Sequence, residues 1–167
     1  EGLSHLADWL ISEKITVYHS AATVFRHFVR ILSGEEQFPF LRIVRLGSEQ
    51  VSWKDVNLFK KHFSNQCLFV NALSSSETKT IRQYVLDRES PLEDVVPVGY
   101  PVEGMDVCIL DESRSELPFN EIGEIAVRSK YLSPGYIRNP ELTSAKYLSD
   151  PSNPEKRLFL TGEWGRL

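Results

Sequence analysis

The feature that most constrains the fold is an alternation of amphipathic helices and short apolar runs in the first half of the chain. Three segments repeat apolar residues at helical spacing, and each is followed by a run rich in apolar, β-branched or aromatic residues. The predicted inner helix faces are Leu3, Leu6, Ala7, Leu10 and Ile11, then Phe25, Phe28, Val29 and Leu32, then Val56, Phe59 and Phe63. The predicted strands cover residues 15–18, 40–46 and 67–70. This order predicts an α/β fold with a parallel sheet, flanking helices and right-handed crossovers.

Polar residues predict how two of these helices begin. Ser20 is expected to cap the second helix, because a serine hydroxyl accepts hydrogen bonds from the first backbone amides of a helix. Ser52 is followed three residues later by Asp55, which is typical of a reciprocal capping box at the start of the third helix.

The pattern changes after about residue 90, where turn residues become frequent. These residues are Pro91, Pro97, Gly99, Pro101 and Gly104. Short strands are predicted at residues 106–110, 124–128 and 157–160, and a helix capped by Asn139 is predicted at residues 140–147. We therefore predict an α/β subdomain over residues 1–95 and a β-rich subdomain, either a small β-barrel or a distorted sheet, over residues 96–167.

Composition limits the classes of partner and of cellular location. The 167 residues carry a formal net charge of −4, and the Lys and Arg residues are scattered, which argues against a nucleic-acid partner. No apolar run approaches the roughly 18 residues of a membrane span, and no signal peptide opens the chain. We expect a cytoplasmic protein with no membrane partner.

The two cysteines, Cys67 and Cys108, each lie inside an apolar run. This placement favours two buried reduced thiols, with a disulfide as the minority alternative. The spacing of Cys and His residues matches no zinc site.

Polar residues follow the predicted strands where a ligand of a parallel sheet is expected, at the carboxyl ends of the strands. These segments are residues 19–22, 47–49 and 71–78. The third is the strongest candidate, because its serine hydroxyls can donate to phosphate oxygens and its one carboxylate can bind a divalent ion. A solvated serine-rich turn is the alternative interpretation.

Several single residues each allow two interpretations. Gly47 could let a flat ligand approach the backbone, or could be an ordinary turn residue. His19 could be a general base, although a lone histidine is more often structural or solvated. Trp164 and Tyr136 could stack on a base, although aromatic residues beside glycine turns usually serve packing. Glu163 lies at the tip of an apolar run, in a Thr-Gly-Glu turn where a sugar hydroxyl could be held, or it is simply a surface acid.

An ordered series of motifs resembles the adenylate-forming superfamily, and most closely the amino-acid adenylation domains of nonribosomal peptide synthetases. The motifs are Leu-Arg-Ile-Val-Arg-Leu-Gly-Ser-Glu (41–49), Asn-Ala-Leu-Ser-Ser-Ser-Glu-Thr (71–78), Val-Pro-Val-Gly-Tyr-Pro-Val (96–102), Gly-Glu-Ile-Ala-Val (123–127), Ser-Pro-Gly-Tyr (133–136), Asn-Pro-Glu-Leu-Thr (139–143) and Thr-Gly-Glu-Trp-Gly-Arg (161–166). The resemblance implies that the chain is a fragment of the large domain of such an enzyme.

The resemblance also implies roles for individual residues. Glu77 matches the acid that binds the Mg²⁺ of ATP, and Glu163 matches the Asp that holds the ribose hydroxyls. The positions matching the nucleotide contacts are Gly47, Ser48, Glu49, Asn71, Ala72, Leu73 and Ser76. The positions matching the acyl-substrate pocket are His19, Val44, Leu46, Ala72, Thr80 and Ile81.

Family members join ATP to a carboxylic or amino acid as an acyl-adenylate and release pyrophosphate. They then pass the acyl group to a thiol, usually the phosphopantetheine of a peptidyl carrier protein or domain. The chemistry needs positioning and charge neutralisation rather than a protein nucleophile. We see no Ser/His/Asp set in this sequence.

The resemblance places other parts of the family's machinery outside this sequence. The phosphate loop and the Asp that anchors a substrate amino group would precede Glu1, and the catalytic Lys would follow Leu167. We therefore expect no catalytic residue within the fragment and no activity from the fragment alone.

Four positions depart from the family pattern. Leu73 stands where an aromatic residue usually stacks on adenine, a loss worth about 1 kcal/mol. Ser74-Ser75 replaces a Gly-Pro pair, and Glu163 replaces an Asp. Two alternatives stay open. An acyl-CoA or fatty acyl-AMP ligase would differ in its pocket residues and in its acceptor, and Leu73 and Glu163 motivate a non-catalytic interaction module.

Overall fold

The computed structural model describes residues 3–91, 95–150 and 152–167. After a 3₁₀ turn at Leu3–His5, the helices are α1 (Leu6–Ser12), α2 (Ala22–Arg30), α3 (Trp53–His62) and α4 (Pro140–Lys146). The strands are β1 (Val17–Ala21), β2 (Ile43–Gly47), β3 (Leu68–Ser75), β4 (Lys79–Leu86), β5 (Tyr100–Pro101), β6 (Asp106–Leu110), β7 (Gly123–Ser129), β8 (Tyr147–Ser149) and β9 (Arg157–Gly165).

The strands form two sheets. Strands β1 to β5 are neighbours in that order, and β1–β2 and β2–β3 pair in parallel. Strands β6, β7, β9 and β8 form a four-stranded antiparallel sheet in that order. The predicted α/β fold with a parallel sheet is confirmed. For the β-rich part we predicted either a small β-barrel or a distorted sheet, and the structure has a four-stranded sheet.

The chain divides into two compact units, each built from two segments. The first unit comprises Glu1–Leu73 and Gln83–Tyr100, and the second comprises Ser74–Arg82 and Pro101–Leu167. The sequence-based boundary between residues 95 and 96 therefore falls inside the first unit. The sequence did not reveal β4, whose first residues belong to the second unit.

An aromatic core holds the first unit together. Phe25, Phe28, Phe59 and Phe69 are fully buried, and Phe63 stacks against Phe59 with ring centroids 5.7 Å apart. The predicted inner faces of α2 and α3 supply most of these rings, because apolar residues three or four positions apart lie on one side of a helix. Burying side chains of this size is the main source of stability for the unit.

The start of α3 confirms the predicted capping box. Asp55 accepts hydrogen bonds from the Ser52 backbone amide at 2.8 Å and from its hydroxyl at 2.9 Å. Arg26 of α2 also forms a two-bond ion pair with the buried Asp55 carboxylate, at 2.7 and 2.8 Å. The carboxylate thus joins the two helices as well as capping one of them.

The predicted cap of α2 is wrong. Ser20 lies within β1, and its hydroxyl donates to the Ala21 carbonyl, while Ala21 occupies the cap position. The carboxylate of Glu49 caps this helix instead, because it accepts from the Thr23 backbone amide and hydroxyl, both at 2.7 Å. A cap supplied from 26 residues away leaves no local sequence signal.

The two cysteines are buried reduced thiols, as predicted. Loss of solvation raises the pKa of Cys67 to about 12 and that of Cys108 to about 11. Both thiols therefore stay protonated at neutral pH, which makes them poor nucleophiles.

Candidate functional site

In the first unit, strand register brings together several residues of the predicted nucleotide site. Gly47 is the last residue of β2, and it pairs with Ala21 of β1 and with Ala72 of β3. Leu46 pairs with Asn71. Asn71, Ala72 and Gly47 therefore lie side by side at the carboxyl end of the parallel strands, the usual ligand-binding edge of such a sheet.

The residues around this edge have structural constraints of their own. The buried Asn71 side chain donates to the Pro97 carbonyl at 2.9 Å, which fixes its amide. Ser48, directly after β2, has a φ of +66°, a left-handed conformation that is uncommon for a serine. The carboxylate of Glu49 caps α2, so a contact between Glu49 and a nucleotide would come from its backbone, as the resemblance implies. Leu73 is half-buried.

The predicted acyl-substrate pocket needs correction at two positions. Val44 and Leu46 are fully buried members of the aromatic core, so neither side chain is available to a ligand. Side chains alternate along a strand, and these two point toward the core that α2 and α3 complete. The sequence did not show which face of β2 the helices cover.

The other predicted pocket positions lie in both units. Ala72 is buried on β3 of the first unit, while Thr80 and the buried Ile81 lie on β4 in the second. His19 lies within β1 rather than beyond its end, and its Nε2 is 2.9 Å from Nη1 of Arg45 on β2. Partial desolvation and the charge of Arg45 lower the pKa of His19.

The second unit contains Glu77, the predicted metal ligand, in the turn between β3 and β4. The Tyr136 hydroxyl donates to Glu77 Oε1 at 2.9 Å, and the Ser133 backbone amide donates to the Glu77 carbonyl at 2.9 Å. One loop therefore holds both the backbone and the carboxylate of Glu77. Neighbouring Ser76 is exposed.

The carboxylate of Glu77 is held in its ionised form. Partial desolvation by itself raises the pKa of Glu77. Hydrogen bonds from Tyr136, from its own backbone amide and from Ser75, together with the charge of Lys146, outweigh this effect and leave the pKa below its usual value. An anionic, half-exposed carboxylate is suited to bind a cation.

Glu163 lies in a bulge rather than in the predicted turn. Strand β9 runs from Arg157 to Gly165, and its pairing with β7 shifts between Glu124 and Ala126. The Gly162 backbone amide donates to Glu124 Oε1 at 2.9 Å, and the Glu163 amide donates to Thr161 Oγ1 at 3.0 Å. The bulge leaves the Glu163 side chain exposed and therefore accessible to a ligand.

Lys146, at the end of α4, lies near Glu77 and near the segment that carries Glu163. Its Nζ would be 3.1 Å from a Cβ placed on Gly162, the residue before Glu163, and its charge lowers the pKa of Glu77. From the sequence, Tyr136 was considered only for stacking on a base, and Lys146 was not singled out at all. Both come from segments far from Glu77 in the chain, so only the tertiary structure brings them together.

The residues present fit a magnesium site that is completed by a nucleotide. Mg²⁺ is commonly held by one or two carboxylates together with substrate phosphates and water, and Glu77 supplies one carboxylate. Within residues 3–91, 95–150 and 152–167, no cluster of three or more His, Cys, Asp or Glu residues could hold a metal ion by protein ligands alone. Within the same ranges, no helix is long and apolar enough to cross a membrane.

The chain matches a known protein family. The sequence model described as "AMP-binding enzyme" matches residues 3–137. "Nonribosomal peptide synthetase agiA" of Aspergillus flavus is 31% identical over all of this chain, and "Tyrocidine synthase 2" of Brevibacillus parabrevis is 31% identical over 75% of it. The chain spans only 2% and 3% of the length of these two relatives.

Solved structures share the fold. A structure of the nonribosomal peptide synthetase FmoA3, described as an AMPPNP-bound form, superimposes with a TM-score of 0.86 at 23% identity. The match covers 99% of this chain and 18% of FmoA3. At this identity the likeness establishes the fold of the chain.

Proposed function

The chain belongs to the AMP-binding enzyme family, and on that premise we propose that it is part of an adenylation domain of a longer enzyme. That enzyme activates an amino acid or another carboxylic acid with ATP and forms an acyl-adenylate. It then passes the acyl group to the phosphopantetheine thiol of a carrier protein or domain. The observation that carries the proposal is the Glu77 carboxylate, which the loop containing Ser133 and Tyr136 holds at the β3–β4 turn.

The first step requires the substrate carboxylate to attack the α-phosphorus of ATP. A new phosphorus–oxygen bond forms, the bond to the bridging oxygen breaks, and pyrophosphate leaves. A bound Mg²⁺ would supply positive charge that neutralises the phosphate oxygens. Glu77 would hold the cation, Ser76 would donate to a phosphate oxygen, and Glu163 would accept hydrogen bonds from the ribose hydroxyls.

Adenine would be held by residues of the first unit, and the positions proposed to contact the substrate belong to both units. We propose that the backbone at Gly47, Ser48 and Glu49 and the residues Asn71, Ala72 and Leu73 surround adenine. Of the predicted pocket positions, His19, Ala72, Thr80 and Ile81 remain proposed contacts to the acyl substrate. The pairing of Gly47 with Ala72 supports the proposed adenine site, because it brings two of its residues together.

The test is substrate-dependent exchange of pyrophosphate into ATP by the whole protein. We expect exchange with at least one acid from a broad panel of amino and carboxylic acids. Glu77→Ala should remove most of this activity, because the cation loses its protein ligand. Glu112→Ala, at an exposed position in the second unit, serves as the control and should leave the rate unchanged.

The possible results separate the proposed function from its rivals. No exchange with any acid, in a protein that also binds no ATP by calorimetry, would favour a non-catalytic interaction module. Exchange followed by transfer to coenzyme A rather than to a carrier protein would favour an acyl-CoA ligase. Near-normal exchange by the Glu77→Ala variant would refute the role of Glu77.

A further inference from the structure

We propose that Tyr136 is a positioning residue that orients the Glu77 carboxylate for binding a divalent cation. The inference rests on the proposed function, and it gives Tyr136 a role at the metal site in place of the base stacking considered from the sequence. Its main support is the 2.9 Å hydrogen bond from the Tyr136 hydroxyl to Glu77 Oε1. These residues are 59 positions apart, so the bond depends on the tertiary fold.

The hydrogen bond leaves room for a cation on the same carboxylate. An ionised carboxylate has about four lone-pair positions, more than the hydrogen bonds from Tyr136, Ser75 and the Glu77 backbone amide occupy. An ionised carboxylate has no hydrogen to donate, so the Tyr136 hydroxyl is the donor in this hydrogen bond. Partners of this kind fix the orientation of metal ligands in other proteins.

Tyr136 is itself anchored on two sides. Its backbone amide donates to Thr143 Oγ1 of α4 at 2.9 Å, and the Thr143 hydroxyl donates to the Asn139 carbonyl at 2.8 Å. Its ring meets the Tyr147 ring edge-to-face, with centroids 5.8 Å apart. A side chain fixed at both its backbone and its ring can hold a partner in one orientation.

Neighbouring residues explain why the loop adopts this path. Gly135 has a φ of +141°, and a Cβ there would lie 2.4 Å from Cγ2 of Thr143, so only glycine allows this approach to α4. Arg157 donates to the carbonyls of Leu132 and Pro134, each at 3.2 Å. These contacts fix the path of the loop that carries Tyr136.

The test measures metal binding directly in the whole protein. Mn²⁺ serves as the probe, and electron paramagnetic resonance reports its affinity in the presence of a non-hydrolysable ATP analogue. Tyr136→Phe removes the hydroxyl and keeps the ring. We expect it to weaken Mn²⁺ binding by about tenfold while leaving metal-free nucleotide affinity unchanged.

A double-mutant cycle shows whether Tyr136 acts through Glu77. In a Glu77→Gln background, Tyr136→Phe should cause no further loss, because the charged acceptor is already gone. Equal losses in both backgrounds would overturn the inference. Tyr131→Phe removes a hydroxyl from a ring that is 58% exposed in the same unit, and it should leave Mn²⁺ affinity unchanged.

A second pair of variants guards against misfolding of Tyr136→Phe. Thr143→Val removes the acceptor that anchors the Tyr136 amide, whereas Thr143→Ser keeps it. We expect weakened Mn²⁺ binding only in the valine variant, and equal affinities in both would contradict the inference.

If wild-type protein catalyses exchange and Tyr136→Phe binds Mn²⁺ normally, the inference alone fails. If wild-type protein binds no Mn²⁺ with the nucleotide, the proposed function fails with it.

Discussion

Single residues in the second unit determine what its acidic side chains can do. Glu77 and Glu163 are both glutamates, but their environments differ. One loop holds Glu77 through two hydrogen bonds: the Ser133 amide donates to the Glu77 carbonyl, and the Tyr136 hydroxyl donates to its carboxylate. The Glu163 carboxylate instead projects from a bulge into solvent. A fixed carboxylate is suited to a metal ion that requires defined geometry, and an exposed one is suited to hydroxyl groups that arrive with a ligand.

The side-chain length at position 163 gives a prediction at this scale. Glu163→Asp should leave the affinity of the whole protein for ATP equal or higher, because the shorter acid is the family's usual residue for the ribose hydroxyls. Calorimetric titration with ATP measures the effect. Glu155→Asp, at another exposed position of the same unit, is the control and should change nothing. A large loss in Glu163→Asp would show that the site is built around the longer side chain.

At the scale of elements, α2 and α3 are joined by one carboxylate. Asp55 caps α3 and forms an ion pair with Arg26 of α2. The Asp55 side chain is fully buried, whereas the Arg26 side chain is 33% exposed. Desolvation raises the pKa of Asp55, but the hydrogen bonds from Arg26 and Ser52 and the charge of Arg26 outweigh it and lower the net value. The ionised form is therefore the one that stabilises the fold.

Removal of this carboxylate should loosen both helices. Asp55→Ala should lower the local free energy of unfolding by about 2–3 kcal/mol. This is a small loss for the removal of one partner of a buried ion pair, because the Arg26 side chain that is left keeps part of its hydration. Native-state hydrogen exchange of the α3 amides in the whole protein measures the change. Asp87→Ala removes an exposed carboxylate of the same unit and should leave α3 protection unchanged.

The same variant has a defined pH dependence. Because the folded pKa of Asp55 lies below the unfolded value of about 3.9, its stabilising effect is complete above that value and is lost as the pH falls through the folded pKa. The difference between wild type and Asp55→Ala should therefore shrink on acidification below about pH 4. A difference that stays constant into strong acid would contradict this assignment.

For the whole molecule, the proposed function predicts that this chain is inactive alone. The resemblance assigns the phosphate loop and the catalytic Lys to segments outside residues 1–167. The isolated chain should give no substrate-dependent pyrophosphate exchange under conditions in which the whole protein is active. Circular dichroism provides the control that the isolated chain is folded. Exchange catalysed by the folded chain alone would show that the machinery is present within it.

The sequence by itself determined the features that depend on local periodicity. Helical spacing of Phe25, Phe28 and Phe59 and the apolar runs between the helices predicted the parallel α/β sheet, and the pair Ser52 and Asp55 predicted the start of α3. Signals of this kind work because neighbouring residues in the chain are also neighbours in a helix, a strand or a cap. The ordered motifs added the family.

Only the tertiary structure decided which distant side chains meet. It buried Val44 and Leu46 under the helices, supplied Glu49 as the cap of α2, and placed Tyr136 on Glu77. None of these outcomes has a local signal, because strand pairing and loop packing bring together residues that are tens of positions apart. The positions of the acids could be read from the chain, but the partners that hold Glu77 in place come from the fold.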